Sequence, residues 1–158
     1  MTSGSVANVP VMANGVAAVV GAKLPAYSLA AVKPENMRLW AQILRDPNPI
    51  HLDPQAVRAK GLGDRVVNQG PANVAYLITM LQRAFPSAVL ESLDVRYAGM
   101  VYGGDAVEAG GTIREVTARE SGVRITCEIS LSAAGRADVI SGLACMLLAP
   151  RQPPFPQA

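Results

Sequence analysis

From Val123 to Ser132 the chain alternates without interruption: Val123, Ile125, Cys127, Ile129 and Leu131 are apolar, and Arg124, Thr126, Glu128, Ser130 and Ser132 between them are polar. Successive side chains of an extended strand point to opposite faces, so a period of two specifies both the conformation and the face to be covered. Upstream, Leu93, Val95 and Tyr97 alternate with Asp94 and Arg96, and Gly103-Gly104-Asp105 supplies a turn. Val139 to Leu148 is apolar on both faces and reads as a central strand. Three or four long antiparallel strands therefore fill the second half of the chain.

The first half has helical spacing. Pro34 can open a helix whose apolar residues are Met37, Trp40, Ile43 and Leu44, running into Asp46. A shorter helix is predicted from Pro54 to about Lys60, stopped by Gly61 and Gly63. Residues 72–85 carry Val74, Ala75, Leu77, Ile78, Met80 and Leu81, and a helix apolar nearly all round is expected to be enclosed. Helices first and strands later, with one enclosed helix, predict an α+β architecture in which a long antiparallel sheet wraps around a central buried helix.

At 158 residues, half of them hydrophobic and 16% charged, the chain suits one domain with a full core. We divide it into an N-terminal arm (1–22), a single domain (23–149) and a proline-rich tail (150–158). A net charge of +2 with no run of either sign does not suggest a nucleic-acid surface. The apolar N-terminal stretch has no basic leader before Lys23, and no segment has the roughly 20 apolar residues that span a bilayer. Cys127 and Cys145 lack the close spacing of a zinc or redox motif and are expected as reduced core residues in the cytoplasm. One histidine and two distant cysteines do not make the usual metal cage, so neither metal nor organic cofactor is expected.

That one histidine, His51, lies in Asp46-Pro47-Asn48-Pro49-Ile50-His51-Leu52-Asp53. On a continuous helix a spacing of five would turn Asp46 and His51 about 140° apart, at about 100° per residue. Pro47 and Pro49 disfavour the helix at the residues before them, so the chain must bend. A rigid elbow can hold an acid and a base around one reacting atom. It can equally be a plain connector, with Asp46 ending one helix and Asp53-Pro54 capping the next. Spacing alone leaves both readings open for Asp46 and His51.

Taken together, the elbow, the glycine-headed helix and the late strands resemble the MaoC-like dehydratases of the hot-dog superfamily, close to the (R)-specific enoyl-CoA hydratases. Asp46-Pro47-Asn48-Pro49-Ile50-His51 meets each fixed position of that family's Asp-x-Asn-Pro-aliphatic-His signature. Arg96-Tyr97-Ala98-Gly99-Met100-Val101-Tyr102-Gly103-Gly104-Asp105 resembles the strand and Gly-Asp turn that follow its central helix. The similarity covers roughly Lys23 to Leu148. Three positions depart from the family's habit: Leu44-Arg45 stands where Ser-Gly is usual, Val57 where a small residue is frequent, and Gln69-Gly70 where His-Gly is frequent. The first bears on acyl preference.

The resemblance implies a hot-dog fold and a hydro-lyase that adds water to a trans-2-enoyl-CoA to give an (R)-3-hydroxyacyl-CoA. Asp46 and His51 would form the catalytic pair, either being base or acid. It also places an oxyanion donor at Gly70, where helix-start N–H groups and the helix dipole favour negative charge. On residues alone, Gly70 is equally a turn glycine. Asn48 is expected to brace the elbow. Of Arg45, Arg58, Lys60, Arg65, Arg83 and Arg96, none is singled out as a phosphate ligand. The expected partners are an acyl thioester on CoA or acyl carrier protein and a second copy of the chain, with no nucleic acid and no membrane. A thioesterase on the same fold, or a non-catalytic binding or dimerisation subunit of a hetero-oligomeric hydratase, are the alternatives.

Overall fold

The structure, a computed structural model, describes Pro10 and residues 12–149. Five antiparallel strands, β1 (Tyr27–Leu29), β2 (Ala88–Tyr97), β3 (Val107–Arg119), β4 (Gly122–Ala133) and β5 (Arg136–Leu148), form one sheet in the order β1-β3-β4-β5-β2. Three helices precede the long strands: α1 (Pro34–Leu44), α2 (Pro54–Ala59) and α3 (Gly70–Ala84). This is the expected α+β hot-dog arrangement, with α3 against the concave face of the sheet.

The period-two reading of β4 holds from Ile125 onward, while Val123 at the strand's start is only half-buried. Ile125, Cys127, Ile129, Leu131 and Ala133 are buried, while the residues between them are half-buried or exposed. Each fully buried aliphatic side chain contributes about 1.5–3 kcal/mol. β4 turns into β5 through Ala134-Gly135 alone, with Ala133 paired to Arg136. Both turn residues have positive φ, 49° and 76°, the geometry whose twist matches that of the strands it joins. β5 lies between β4 and β2 as a central strand. A Cβ at Gly142 would sit 2.0 Å from Asp94 O, so β2 approaches β5 only because that side chain is missing.

Three expectations need correction. First, α3 is not enclosed all round. Ala72, Asn73, Leu77, Met80, Leu81 and Ala84 are buried, but Val74, Ala75 and Ile78 are only half-buried, because a single sheet covers one side of a helix. Second, α1 buries Met37 alone, whereas Ile43 is 63% exposed and Leu39 56%. Third, part of the N-terminal arm belongs to the packed domain. Met12 and Ala18 are core residues, Ala13 N–H donates to Ala84 O (2.9 Å) and Gly21 N–H donates to Ile113 O (2.8 Å). The proline-rich tail (150–158) lies outside the described residues, as do residues 1–9.

Candidate active site

α1 ends at Arg45, whose backbone turns left-handed (φ 52°, ψ 41°) while its N–H still bonds to Ala41 O and Gln42 O. Pro47 prevents the helix from resuming, and short polar links then set the path. Asn48 N–H donates to Asp46 Oδ1 (3.1 Å), Ile50 N–H donates to Asn48 Oδ1 (3.3 Å), and Pro49–His51 forms one 3-10 turn. Gln55 N–H donates to Asp53 Oδ1 (2.8 Å), so Asp53 caps α2 with Pro54 at its first position. Asn48 thus takes part in holding the bend by its own side chain.

The bend carries Asp46 and His51 onto each other, with His51 Nε2 3.3 Å from Asp46 Oδ2. His51 is 8% exposed, and its Nδ1–H donates to Val67 O at 2.6 Å. A carbonyl can only accept, so Nδ1 holds a proton in either charge state of the ring, and Nε2 is the nitrogen free to exchange one with Asp46. Val67 is itself fixed, since its N–H donates to Ile50 O (3.0 Å) and it bridges to Tyr102. The segment leading into α3 therefore sets the orientation of the imidazole.

Two clefts meet at this pair. One of about 240 Å³ is lined by His51, Leu52, Arg38, Arg65 and Gly103 among others. Another of about 510 Å³ is lined by Asp46, Pro47, Leu52, Arg38 and Arg45 among others. Arg38 and Leu52 border both.

Gly70 lies elsewhere. As the first residue of α3 its N–H is not used by the helix ladder, but it lines neither cleft. It faces the ring of Tyr97, where an added Cβ would be 3.3 Å from both a ring carbon and the hydroxyl. Its neighbour Gln69 is wholly buried and donates from Nε2 to Met37 O (2.8 Å), tying the start of α3 to α1. Among the described residues no three His, Cys, Asp or Glu side chains gather in a metal-binding group.

Sequence reasoning missed the buried carboxylate that holds Arg65, one of the residues lining the histidine cleft. Asp105, 2% exposed, receives Arg65 Nη1 at Oδ1 (2.6 Å) and Arg136 Nη2 at Oδ2 (2.9 Å), and its Oδ2 also accepts Tyr102 N–H (3.0 Å). Both guanidinium groups lie over the Tyr102 ring, at 5.2 Å and 5.6 Å from its centroid. The Gly-Asp turn was legible, but its long-range arginine partners leave no local signal.

The profile of the MaoC like domain matches residues 16–133. The mitochondrial 3-hydroxyacyl-[acyl-carrier-protein] dehydratase of Arabidopsis thaliana is 30% identical over 87 residues, 55% of this chain and 51% of that protein. The match thus spans about half the length of that relative. Two solved structures share the fold at lower identity. The (R)-hydratase from A. caviae involved in PHA biosynthesis superposes with a TM-score of 0.73 at 22% identity, covering 82% of this chain and 96% of that one. The ChsH1-ChsH2 complex from Mycobacterium tuberculosis gives 0.70 at 21%, covering 82% and 98%. A profile match running through the elbow, α3 and most of the sheet decides the relationship, and the chain belongs to the MaoC-like domain family.

Proposed function

We propose that this protein is a hydratase that adds water across the double bond of a trans-2-enoyl-CoA, giving the (R)-3-hydroxyacyl-CoA, and catalyses the reverse dehydration. The observation that carries the reading is the 3.3 Å approach of Asp46 Oδ2 to His51 Nε2, with the other ring nitrogen held by Val67 O. In the cycle we propose, the pair shares one exchangeable proton, so either residue can serve as base while the other serves as acid. Water held by the pair gives a proton to its basic member as the oxygen bonds to C3. The acidic member delivers a proton to C2 from the same side, and transfer between Oδ2 and Nε2 restores the starting state. One water is consumed and the protein is unchanged. Delivery of both parts from one side is a syn addition.

Negative charge grows on the thioester oxygen during this step. We assign its stabilisation to Gly70, whose free N–H at the start of α3 and the positive end of the helix dipole support the assignment. Tyr97, half exposed at the end of β2, packs on the Cα side of Gly70, and neither cleft reaches Gly70, so in this reading the thioester must enter beside that ring. The two free buried cysteines suit a reducing compartment, and we place the protein in the cytoplasm.

The working unit we propose is a dimer of two identical chains. β2 is ten residues long, pairs among the described residues with β5 alone and leaves its other edge open there, and Val89 on it is 65% exposed. An unpaired long edge invites a second strand, and two-fold pairing closes it.

The test is incubation of the purified protein with crotonyl-CoA and longer enoyl-CoA substrates, following the enoyl absorbance and free thiol together. Loss of enoyl absorbance without thiol release is expected. Thiol release without hydration would make the protein a thioesterase, and activity only after adding a second polypeptide would make it one subunit of a mixed enzyme.

A further inference from the structure

A left-handed residue at the end of a helix is usually glycine, because any Cβ crowds the backbone there. In α1 that position is Arg45 (φ 52°), and the same helix carries Arg38 two turns earlier. Both side chains line the 510 Å³ cleft that Asp46 opens into. Both are exposed. Among the described residues neither guanidinium takes part in an ion pair, whereas Arg65, Arg114, Arg124 and Arg136 are paired with carboxylates; Arg58, Arg83, Arg96 and Arg119 are unpaired too, but none of them lines the cleft that Asp46 shares. What distinguishes Arg45 is its place: a left-handed cap keeps it directly before Asp46, and Arg38 stands with it in the same cleft, so an anion there can meet two guanidinium groups.

Resting on the hydratase reading above, we propose that Arg45 and Arg38 form an anion subsite for a carboxylate on the acyl chain, so that the preferred substrate is the mono-thioester of an unsaturated dicarboxylic acid. Distance along the substrate selects this anion over a carrier phosphate. Arg45 directly precedes Asp46, with Cα atoms about 3.8 Å apart, so an anion on its guanidinium lies within one arginine side chain's reach of the Asp46 backbone. The pantetheine arm removes the first phosphate of its carrier far beyond that, whereas the far end of a short acyl chain falls within it. Asp46, the carboxylate that shares the cleft, is turned to His51. The α1 dipole places about half a negative charge at its C-terminus, which two guanidinium groups exceed. Arginine also suits a carboxylate better than lysine, since its planar fork can donate two parallel hydrogen bonds.

The test is equilibrium binding by calorimetry, which needs no turnover and so stands apart from failure of the hydratase assay. Glutaryl-CoA is compared with its methyl ester, in which the terminal charge is masked. The wild type is expected to prefer the free acid by about tenfold or more, the ordinary worth of a charge-assisted hydrogen bond. In Arg45→Gly, where glycine is at ease in the left-handed backbone, and in Arg38→Gln, that ratio should fall towards one. A wild-type ratio near one overturns the proposal. So does a variant that weakens acid and ester equally, since its arginine would then be meeting the carrier.

Discussion

His51 lies between a carbonyl that only accepts and a carboxylate that competes for a proton, and the two sides of its ring are thereby given different work. Asp46→Asn removes the exchangeable proton and His51→Ala removes its partner. Each should lower kcat by about 10²–10⁴ with KM changed only a few-fold, read from enoyl absorbance. His51→Ala also strands the buried side of Val67 and should cost about 1–3 kcal/mol in denaturant unfolding, which Asp46→Asn should not. Asp105 makes a contrasting prediction. Asp105→Asn leaves Arg65 and Arg136 without their shared carboxylate, and because both arginines are nearly half exposed they regain water, which limits the cost to about 2 kcal/mol. Its thermal midpoint should drop by about 4–8 °C. The two prolines made a bend between Asp46 and His51 legible, but spacing left a plain connector equally open, and it was the family signature that pointed to the pair. The Asp105 cluster and the left-handed Arg45 were not legible, since partners some 30 to 40 positions away and a single dihedral leave no periodic trace.

Elements whose pattern repeats were the most legible. β4 and β5 follow from alternation and from a run apolar on both faces, and α3 from its apolar spacing with Gly70-Pro71 at its head. β1 is only three residues long and exists because β3 offers it an edge at Val107 to Ala109, so no local period announces it. α1 misled for a related reason: Met37, Trp40, Ile43 and Leu44 fit a helical spacing, but of these only Met37 is buried and Ile43 is 63% exposed. Within β4, burial pushes the Cys127 thiol up from its ordinary 9.0 to about 12, with the neighbouring Cys145 adding to the shift. The folded state therefore holds that proton more tightly than the unfolded chain. The stabilisation is complete below pH 9 and is lost as the pH rises towards 12, so denaturant midpoints should decline over that window. Cys127→Ser should flatten that decline. A thiol reagent at pH 8 should leave Cys127 unmodified until the protein unfolds.

At the scale of the whole molecule, the half-covered side of α3 and the free edge of β2 point the same way. One sheet can wrap only part of a helix, and the rest of the apolar surface, Val74, Ala75 and Ile78, is left for another layer. Sedimentation should therefore give twice the 16.5 kDa chain mass for the wild type. Val89→Lys, which places a charge on the exposed edge, should shift the protein towards monomer at micromolar concentration. A monomeric wild type would remove the proposed assembly.

The strand order has a further consequence. β2 emerges in the chain long before β5, yet among the described residues β5 is its one neighbour in the sheet. During synthesis β2 must wait unpaired while β3 and β4 form behind it, and the final strand is inserted last, like a keystone. A message truncated after the tight Ala134-Gly135 turn would encode Asp46, His51 and the start of α3 and still yield a chain whose sheet cannot close.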